Sequence, residues 1–373
     1  MAKRKETILV TGGAGFIGSH LVDRLIKDGY RVRVLDNLLP PAHNGKLPPW
    51  FNAHAEFLHG DVRNRKDWEK ALKGVDYIFH LAAYTDIFSD FSTYFETNAA
   101  GTALMYETIM KSKFPVKKIV AASSQSVYGE GKYSCKKHGV IYPDFRSIKT
   151  LKNKQWEILC PYDNHRVTPL PEKEDDVLKP IHAYGASKAA LEHALFALGK
   201  LYKIPSVALR YSIVQGAHQS FRHFYSGAIR AYIVMGLSGQ AIITHEDGGQ
   251  LRDFVNVHDV VDAHLTVLRD SRANYQAFNV GSGKSIPVIE LARTIGKALG
   301  VPRKKIYAGG HFRWATTRHS IMDISKLKKL GWRPKRNVEE SVREYVEWVK
   351  NYPEAKKFLE KTDKDMKKKG LLF

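Results

Sequence analysis

The chain predicts a doubly wound α/β fold, and three observations carry that reading. Short β-branched or apolar runs alternate with amphipathic segments through residues 7–124, a glycine-rich turn separates the first run from the first helix, and an acidic residue closes the second run. Alternation of this kind implies right-handed βαβ crossovers and a parallel sheet covered on both faces. In order, the predicted elements are strand TILVTG (7–12), a helix near 16–28, strands RVRVLD (31–36) and AEFLHGDV (55–62), a helix near 66–73, strand YIFHLAA (77–83), a helix near 94–112 and strand KIVAASS (118–124). After Ser126 the pattern breaks. Residues 130–180 read as an irregular insertion, and the sheet resumes with a helix from Tyr184 and strand SVALRY (206–211). From Ser212 onward aromatic, glycine-containing and helical segments mix, with RDFVNV (252–257) and AFNVGS (277–282) as short strands. The expected division is a sheet domain over 1–211 and a smaller C-terminal α/β domain over 212–373, from which 251–282 partly returns to the first. The closing KKFLEKTDKDMKKKG is expected to be a solvated helix or frayed tail.

Composition narrows the class. With 43% hydrophobic and 26% charged residues the chain is globular, which excludes a collagen, a disordered tail protein or a miniature disulfide scaffold. Its 59 basic against 38 acidic side chains leave a formal charge of +21, so an anionic ligand, a nucleic acid and an acidic membrane surface are all candidate partners. No stretch approaches the roughly 20 apolar residues of a membrane span, and MAKRKETILV runs into a strand pattern instead of a signal-peptide core. Two cysteines, Cys135 and Cys160, are too few for a disulfide framework. The expected location is cytoplasmic.

The segment TGGAGFIGSHL places Gly12, Gly15 and Gly18 after the first strand and at the opening of a helix, where backbone amides and the positive helix end receive a pyrophosphate. The G-x-x-G-x-x-G spacing differs by one residue from the usual dinucleotide fingerprint. Asp36 ends the second strand about 20 residues further on, where a carboxylate accepts hydrogen bonds from ribose hydroxyls and repels a 2′-phosphate. That favours NAD over NADP. Arg31 and Arg33 lie nearby, but strand alternation aims them away from a ligand at the strand end.

Tyr184 and Lys188 in YGASK are four apart on a predicted helix and project to one face. A nearby ammonium, together with a positively charged nicotinamide, lowers a phenol pKa from about 10 and makes it a usable base. Ser123 and Ser124 close their strand at the carboxyl edge of the sheet, where doubly wound folds collect ligands, so one hydroxyl can share a hydrogen bond with a substrate oxygen.

Taken in order, TGGAGFIG, Asp61-Val62, LAA (81–83), Asn98 with Gly101, SSQSVYG (123–129), YGASK, RDFVNVHDVVDA (252–263), FNVGSG (278–283) and DISKLKKLGWRPK (323–335) resemble the extended short-chain dehydrogenase/reductase family of nucleotide-sugar epimerases and dehydratases. The resemblance covers nearly the whole chain. It implies a Rossmann domain holding NAD tightly through Gly12, Gly15, Phe16, Ile17, Gly18, Asp36, Asn37, Asp61, Val62, Leu81, Ala82, Ala83 and Asn98. It further implies Tyr184 as base, Lys188 holding the cofactor ribose and tuning Tyr184, and Ser124 as hydroxyl partner, with Ser126, Arg252 and Arg313 on a nucleotide-diphosphate sugar. A homodimer is a family expectation. Two departures stand out: RWAT at 313–316 where members read R-x-G-D, and Ile213 in RYSIVQG where many carry an asparagine that touches the diphosphate.

Dehydratases of the family carry an Asp-Glu pair just after the catalytic hydroxyl, and a decarboxylase a glutamate there; this chain has Gln125 and Ser126. Without those proton carriers elimination is disfavoured and 4-epimerisation remains, by transient oxidation to a 4-keto sugar and hydride return. A dehydratase, decarboxylase or reductase of the same family is the alternative within the class. The alternative outside it is a non-catalytic dinucleotide-binding protein using its basic surface on nucleic acid, although no nucleic-acid module is recognisable. Arg222, His223, Tyr225 and the HEDGGQ loop (245–250) are candidates for the sugar-facing surface. In the insertion, Cys135-x-x-His138 and Cys160-x-x-Asp163 have the spacing of two zinc knuckles. The segment resembles that of dTDP-L-rhamnose 4-epimerases, in which the second knuckle reads CPxC, so Asp163 replaces a cysteine; His165 competes for the fourth position, and free thiols in a loop packed by Trp156 and Tyr142 are the alternative.

Overall fold

Seven strands build the main sheet: β1 (Thr7–Thr11), β2 (Arg31–Asp36), β3 (Glu56–His59), β4 (Tyr77–His80), β5 (Lys118–Ser124), β6 (Ser206–Tyr211) and β7 (Gln276–Val280). The structure is a computed structural model describing residues 5–40, 42–43, 45–85, 90–222 and 227–355. Every neighbouring pair is parallel, in the order 3-2-1-4-5-6-7. The order reverses between β1 and β4, and a crevice at the carboxyl ends of strands flanking such a reversal is where this architecture binds ligands.

Successive residues of each strand feed different layers. Ile8 and Val10 face one apolar layer and Leu9 the other; Val120 opposes Ile119 and Ala121, and Phe278 opposes Ala277. The covering helices are α1 (Phe16–Lys27), α2 (Arg65–Ala71), α3 (Gly101–Ser112), α4 (Ala183–Leu201) and α5 (Val257–Arg269). One layer is closed by Leu21, Val22 and Leu25 of α1 with Val260 and Val261 of α5. The other is closed by Trp68 of α2, Met105, Tyr106 and Ile109 of α3, and Leu191 and Leu195 of α4. Each such fully buried side chain contributes about 1.5–3 kcal/mol, so two-sided burial fixes the register of the strand ends that carry the site.

Several expectations are corrected. The strand predicted over 77–83 stops at His80, because the amides of Leu81 and Ala82 turn to Thr11 O and Oγ1, at 3.1 Å each. The one over 55–62 shrinks to β3. The helix predicted near 94–112 starts with one turn at Phe91–Tyr94, winds as a wider π-type helix over Phe95–Ala100 and becomes α3 only at Gly101. The insertion is ordered: strands Lys132–Cys135, Gly139–Ile141 and Thr168–Leu170 form an antiparallel sheet, with a short helix at Ile148–Lys152. Leu251–Asn256 pairs with Ile213–Gln215 and Ser285–Pro287 in a separate sheet, whereas β7 is the edge strand of the main one. The tail 356–373 and the candidates His223 and Tyr225 lie outside the described residues.

Downstream of β6, helices Gly227–Leu237, Val288–Leu299 and Val338–Val349 share a further core around Phe221, Ile233, Leu291 and Tyr345. The insertion reaches this region through ions. Arg146 donates to both oxygens of Glu246, at 2.8 and 2.9 Å, and Arg318 donates to Glu246, Asp247 and Glu157. The side chains of Arg146, Glu246 and Arg318 are only 4%, 1% and 1% exposed. Two buried guanidiniums therefore share one carboxylate, and removing it leaves Arg146 with carbonyl acceptors alone and Arg318 with Asp247 and Glu157. Glu246→Leu is expected to lower stability by about 3–5 kcal/mol in chemical denaturation. An unchanged unfolding midpoint would show that the cluster does not join these segments.

Candidate active site

Gly12 follows β1 with φ +70°, and a Cβ there would meet Ala82 N at 2.8 Å, so the turn can approach the chain leaving β4 only as glycine. A Cβ on Gly18 would meet Gly12 O at 2.2 Å, which seats α1 directly on the turn. Gly15 caps α1 without a side chain, leaving the first-turn amides to an outside acceptor. Asp36, at the end of β2, receives the amides of Ala14 at 3.0 Å and Leu38 at 2.9 Å, which ties it to the glycine turn. A carboxylate has about four acceptor directions, so two remain for hydroxyls. Arg33 is engaged with Glu56 and the carbonyls of Ala71 and Lys73, away from this end of the sheet.

Beside it, Asn37 donates to Asp61 at 2.9 Å. Burial raises the Asp61 pKa, but hydrogen bonds and charge from Arg63, with Asn37, outweigh it and bring the carboxyl down to about 2. Val62 is buried, and its carbonyl accepts from Trp68 Nε1. Asn98, on the π-type turn, is fully buried: it exchanges hydrogen bonds with the Tyr84 backbone and donates to Ser187 Oγ at 2.9 Å, locking the segment after β4 to α4.

The crevice opens into a cavity of 320 Å³. Its walls include Gly15, Phe16 and Ile17 from the glycine turn, Ser123 and Ser124 from β5, Tyr184 from α4, and Tyr211, Ser212 and Ile213 beyond β6. Ser124 Oγ lies 3.2 Å from both the amide and the hydroxyl of Ser126, while Ser123 hydrogen-bonds Glu192 behind the sheet. Tyr184 sits in the first turn of α4, which His182 caps by accepting the Gly185 amide at 3.1 Å. Lys188, one turn on, is 1% exposed, donates to Ala122 O at 2.8 Å and lies 5.9 Å from the Tyr184 ring centre. Burial pushes its pKa down to about 7 against the opposing charge of Glu192. Its neighbour His80 is held neutral: burial, then the charge of Lys188, brings it to about 3.

The sequence signal missed the far wall. Trp50 stacks on His218 at 4.8 Å and His218 on His20 at 4.4 Å, each with 17° between planes, and Trp348 meets Trp50 edge-on at 5.4 Å. Of these, Trp50, His218 and Trp348 line the cavity, as does His43; Trp50 Nε1 and His43 Nδ1 are buried and have no hydrogen-bond partner among the described residues. The signal available was the proline-rich run LLPPAHNGKLPPW, an aromatic donor at the end of a rigid loop. Of the substrate candidates, Arg222 lines the cavity, pairing with Glu354 at 2.9 Å. Arg252 instead donates to the carbonyls of Leu251, Thr317 and Arg318, Arg313 lies beside His245, and Glu246 of the 245–250 loop belongs to the ionic cluster. Cys135, His138, Cys160 and Asp163 do converge, with ligand atoms all within 4.8 Å of one another.

A dinucleotide fits these residues. Gly15 at the uncapped helix start lines one crevice together with Trp50 and His43, whose buried ring nitrogens have no hydrogen-bond partner among the described residues. Comparison with known proteins agrees. The sequence pattern described as the NAD dependent epimerase/dehydratase family matches residues 8–147 and 160–281. A dTDP-L-rhamnose 4-epimerase of Burkholderia thailandensis is 33% identical over 352 residues, 92% of this chain and 95% of its own. A putative UDP-glucose 4-epimerase of Methanocaldococcus jannaschii is 33% identical over 349 residues, 92% of this chain and 98% of its own. Among solved structures, UDP-glucose 4-epimerase of Thermotoga maritima with UDP-glucose superposes with a TM-score of 0.72 at 29% identity, covering 92% of this chain and 99% of that one. The Thermus thermophilus UDP-glucose 4-epimerase complex with NAD gives 0.72 at 27% identity, covering 93% and 99%.

Proposed function

The chain belongs to the NAD dependent epimerase/dehydratase family, and from that membership we propose that it is a nucleotide-sugar 4-epimerase with Tyr184, Ser124 and Lys188 as its catalytic residues. One observation carries the choice of reaction. Tyr184 and Ser124 line the cavity beside the glycine turn, and among the described residues no aspartate or glutamate lines it. Elimination of water needs a carboxyl acid and base at the sugar; removal and return of a hydride at one carbon needs only a phenol base and a hydroxyl partner. Gln125, where dehydratases carry a carboxylate, is tied to Ser320 Oγ at 2.8 Å.

The glycine turn and Asp36 hold the dinucleotide, and bound NAD supplies the hydride acceptor. Ser124 Oγ orients the sugar C4 hydroxyl toward Tyr184, whose phenol oxygen takes the proton and later gives it back. The ammonium of Lys188 favours the phenolate form of Tyr184 through charge. The apolar Ile213 and the aromatic wall of Trp50 and Trp348 exclude water, so the keto sugar can present its other face before the hydrogen returns. The nucleotide diphosphate lies along the walls that include Arg222. A cytoplasmic location and a homodimer complete the proposal; two unpaired buried thiols support the first, family resemblance the second.

The test is incubation of the purified protein with dTDP- and UDP-sugars in deuterated water, followed by NMR. The expected result is inversion at C4 without solvent deuterium. A dehydrated, decarboxylated or solvent-labelled product rejects this reading, and binding of duplex DNA without any turnover favours the nucleic-acid alternative.

A further inference from the structure

We infer that the insertion carries a structural zinc site whose four ligands are Cys135, His138, Cys160 and Asp163. The site stands apart from the catalytic cavity, and none of the four lines it.

Geometry is the first argument. Cys135 Sγ and Cys160 Sγ lie 3.5 and 3.3 Å from His138 Nδ1, and Asp163 Oδ2 lies 3.6 Å from the same nitrogen. Zinc bonds of about 2.0–2.3 Å to nitrogen, oxygen and sulfur imply tetrahedron edges of about 3.3–3.8 Å, so the three contacts have the lengths that a shared central ion would set. His165, the rival fourth ligand, has a side chain 80% exposed and leans on Asp163 instead, at 3.4 Å.

The backbone supplies the second. Each cysteine opens a tight turn: Cys135 pairs with Gly139 across its hairpin, and the Cys160 carbonyl accepts the Asn164 amide at 2.9 Å while the Cys160 amide donates to His165 O at 2.8 Å. Two turns of the same design face each other: one joins strands Lys132–Cys135 and Gly139–Ile141, and the other is flanked by the bridge between Leu159 and Arg166. On binding, the two thiol protons leave and both sulfurs coordinate as thiolates.

The third is stability. The insertion has its own apolar cluster of only Tyr133, Cys135, Ile141, Ile158 and Cys160, with Val167 against it. A core this small does not hold a segment without a staple, and a metal supplies one. The segment so held presents Arg146 and Glu157 to the buried ionic cluster at Glu246 and Arg318. A Cys135–Cys160 disulfide would use the two sulfurs alone and leave His138 and Asp163 converging on nothing.

The experiment is elemental analysis of the full chain, expressed with zinc supplied and purified under reducing conditions without chelator, with cobalt substitution as a spectroscopic probe. About one zinc per chain is expected, and the cobalt form should show thiolate charge transfer together with the intense visible bands of tetrahedral cobalt. Cys160→Ser should lower metal content at least about tenfold. Asp163→Cys should retain it and strengthen the charge-transfer band. Because the readout needs no turnover, it is decided separately from the epimerase reading. Zinc far below one equivalent in the parent chain, octahedral cobalt spectra, or a Cys135–Cys160 disulfide in the isolated protein overturns the site.

Discussion

Tyr184→Phe is expected to cut epimerase turnover by about a hundredfold to ten-thousandfold while leaving NAD bound, since a positioned general base contributes about 10²–10⁴. Of the hydroxyls on the cavity wall, Ser123 is committed to Glu192 and the phenol of Tyr211 to His264 Nε2 at 2.8 Å, while Ser124 and the other alcohols, Thr85, Ser212 and Ser220, are neutral at any working pH. Of the two phenols, Tyr184 has a cation placed to favour its ionised form, Lys188 at 5.9 Å from the ring centre, whereas burial pushes Tyr211 well above the ordinary phenol range. Phenylalanine preserves the ring that packs near His182, at 6.2 Å between centroids, so the start of α4 should be undisturbed. Initial rates on a competent nucleotide sugar, with dinucleotide released and quantified after denaturation, separate the two effects. A variant keeping more than about a tenth of the parent rate would move the base elsewhere.

Strand and helix positions through β5 were legible because two-sided burial writes itself into the sequence as apolar runs, and the glycine turn because Gly12 and Gly18 have no tolerated substitute. What local pattern could not supply was contact between distant segments. Trp50, His218 and Trp348 meet across almost the whole chain, and nothing in the neighbourhood of any one of them signals the others. Arg252 illustrates the same limit. Resemblance assigns it to a diphosphate, and its guanidinium donates to the carbonyls of Thr317 and Arg318, an arrangement set by a loop more than sixty residues away and invisible in the local pattern. The family pattern assigns Asn98 to the cofactor, and its fully buried amide bridges Tyr84 and Ser187, a positioning job that holds α4 against the strand ends. The insertion looks irregular in sequence because its strands are only three or four residues long, below the length at which periodicity is visible.

Lys188→Met should produce a protein that is more stable and nearly inactive. Burial brings Lys188 down to about 7 in the folded chain, whereas an unfolded lysine titrates near about 10.4. Between those values the unfolded chain binds a proton that the folded chain does not, so stability rises with pH across that window. The cost of the buried amine is therefore fully present below pH 7, about 4–5 kcal/mol as an upper bound, and has vanished above about pH 10. Methionine, of similar length, removes that cost but deprives Ala122 O of its donor, which takes back about 1–3 kcal/mol. The net expectation is a gain of about 1–3 kcal/mol at pH 7 that shrinks toward pH 10, read by chemical denaturation at both values. Activity should fall at least about a hundredfold, because the ammonium that stabilises the Tyr184 phenolate is gone. A stable, inactive variant means that the fold tolerates Lys188 for its chemistry alone. A variant less stable than the parent at pH 7 would show instead that the amine is held charged by partners beyond Ala122 and Glu192, and that its burial is no obstacle to folding.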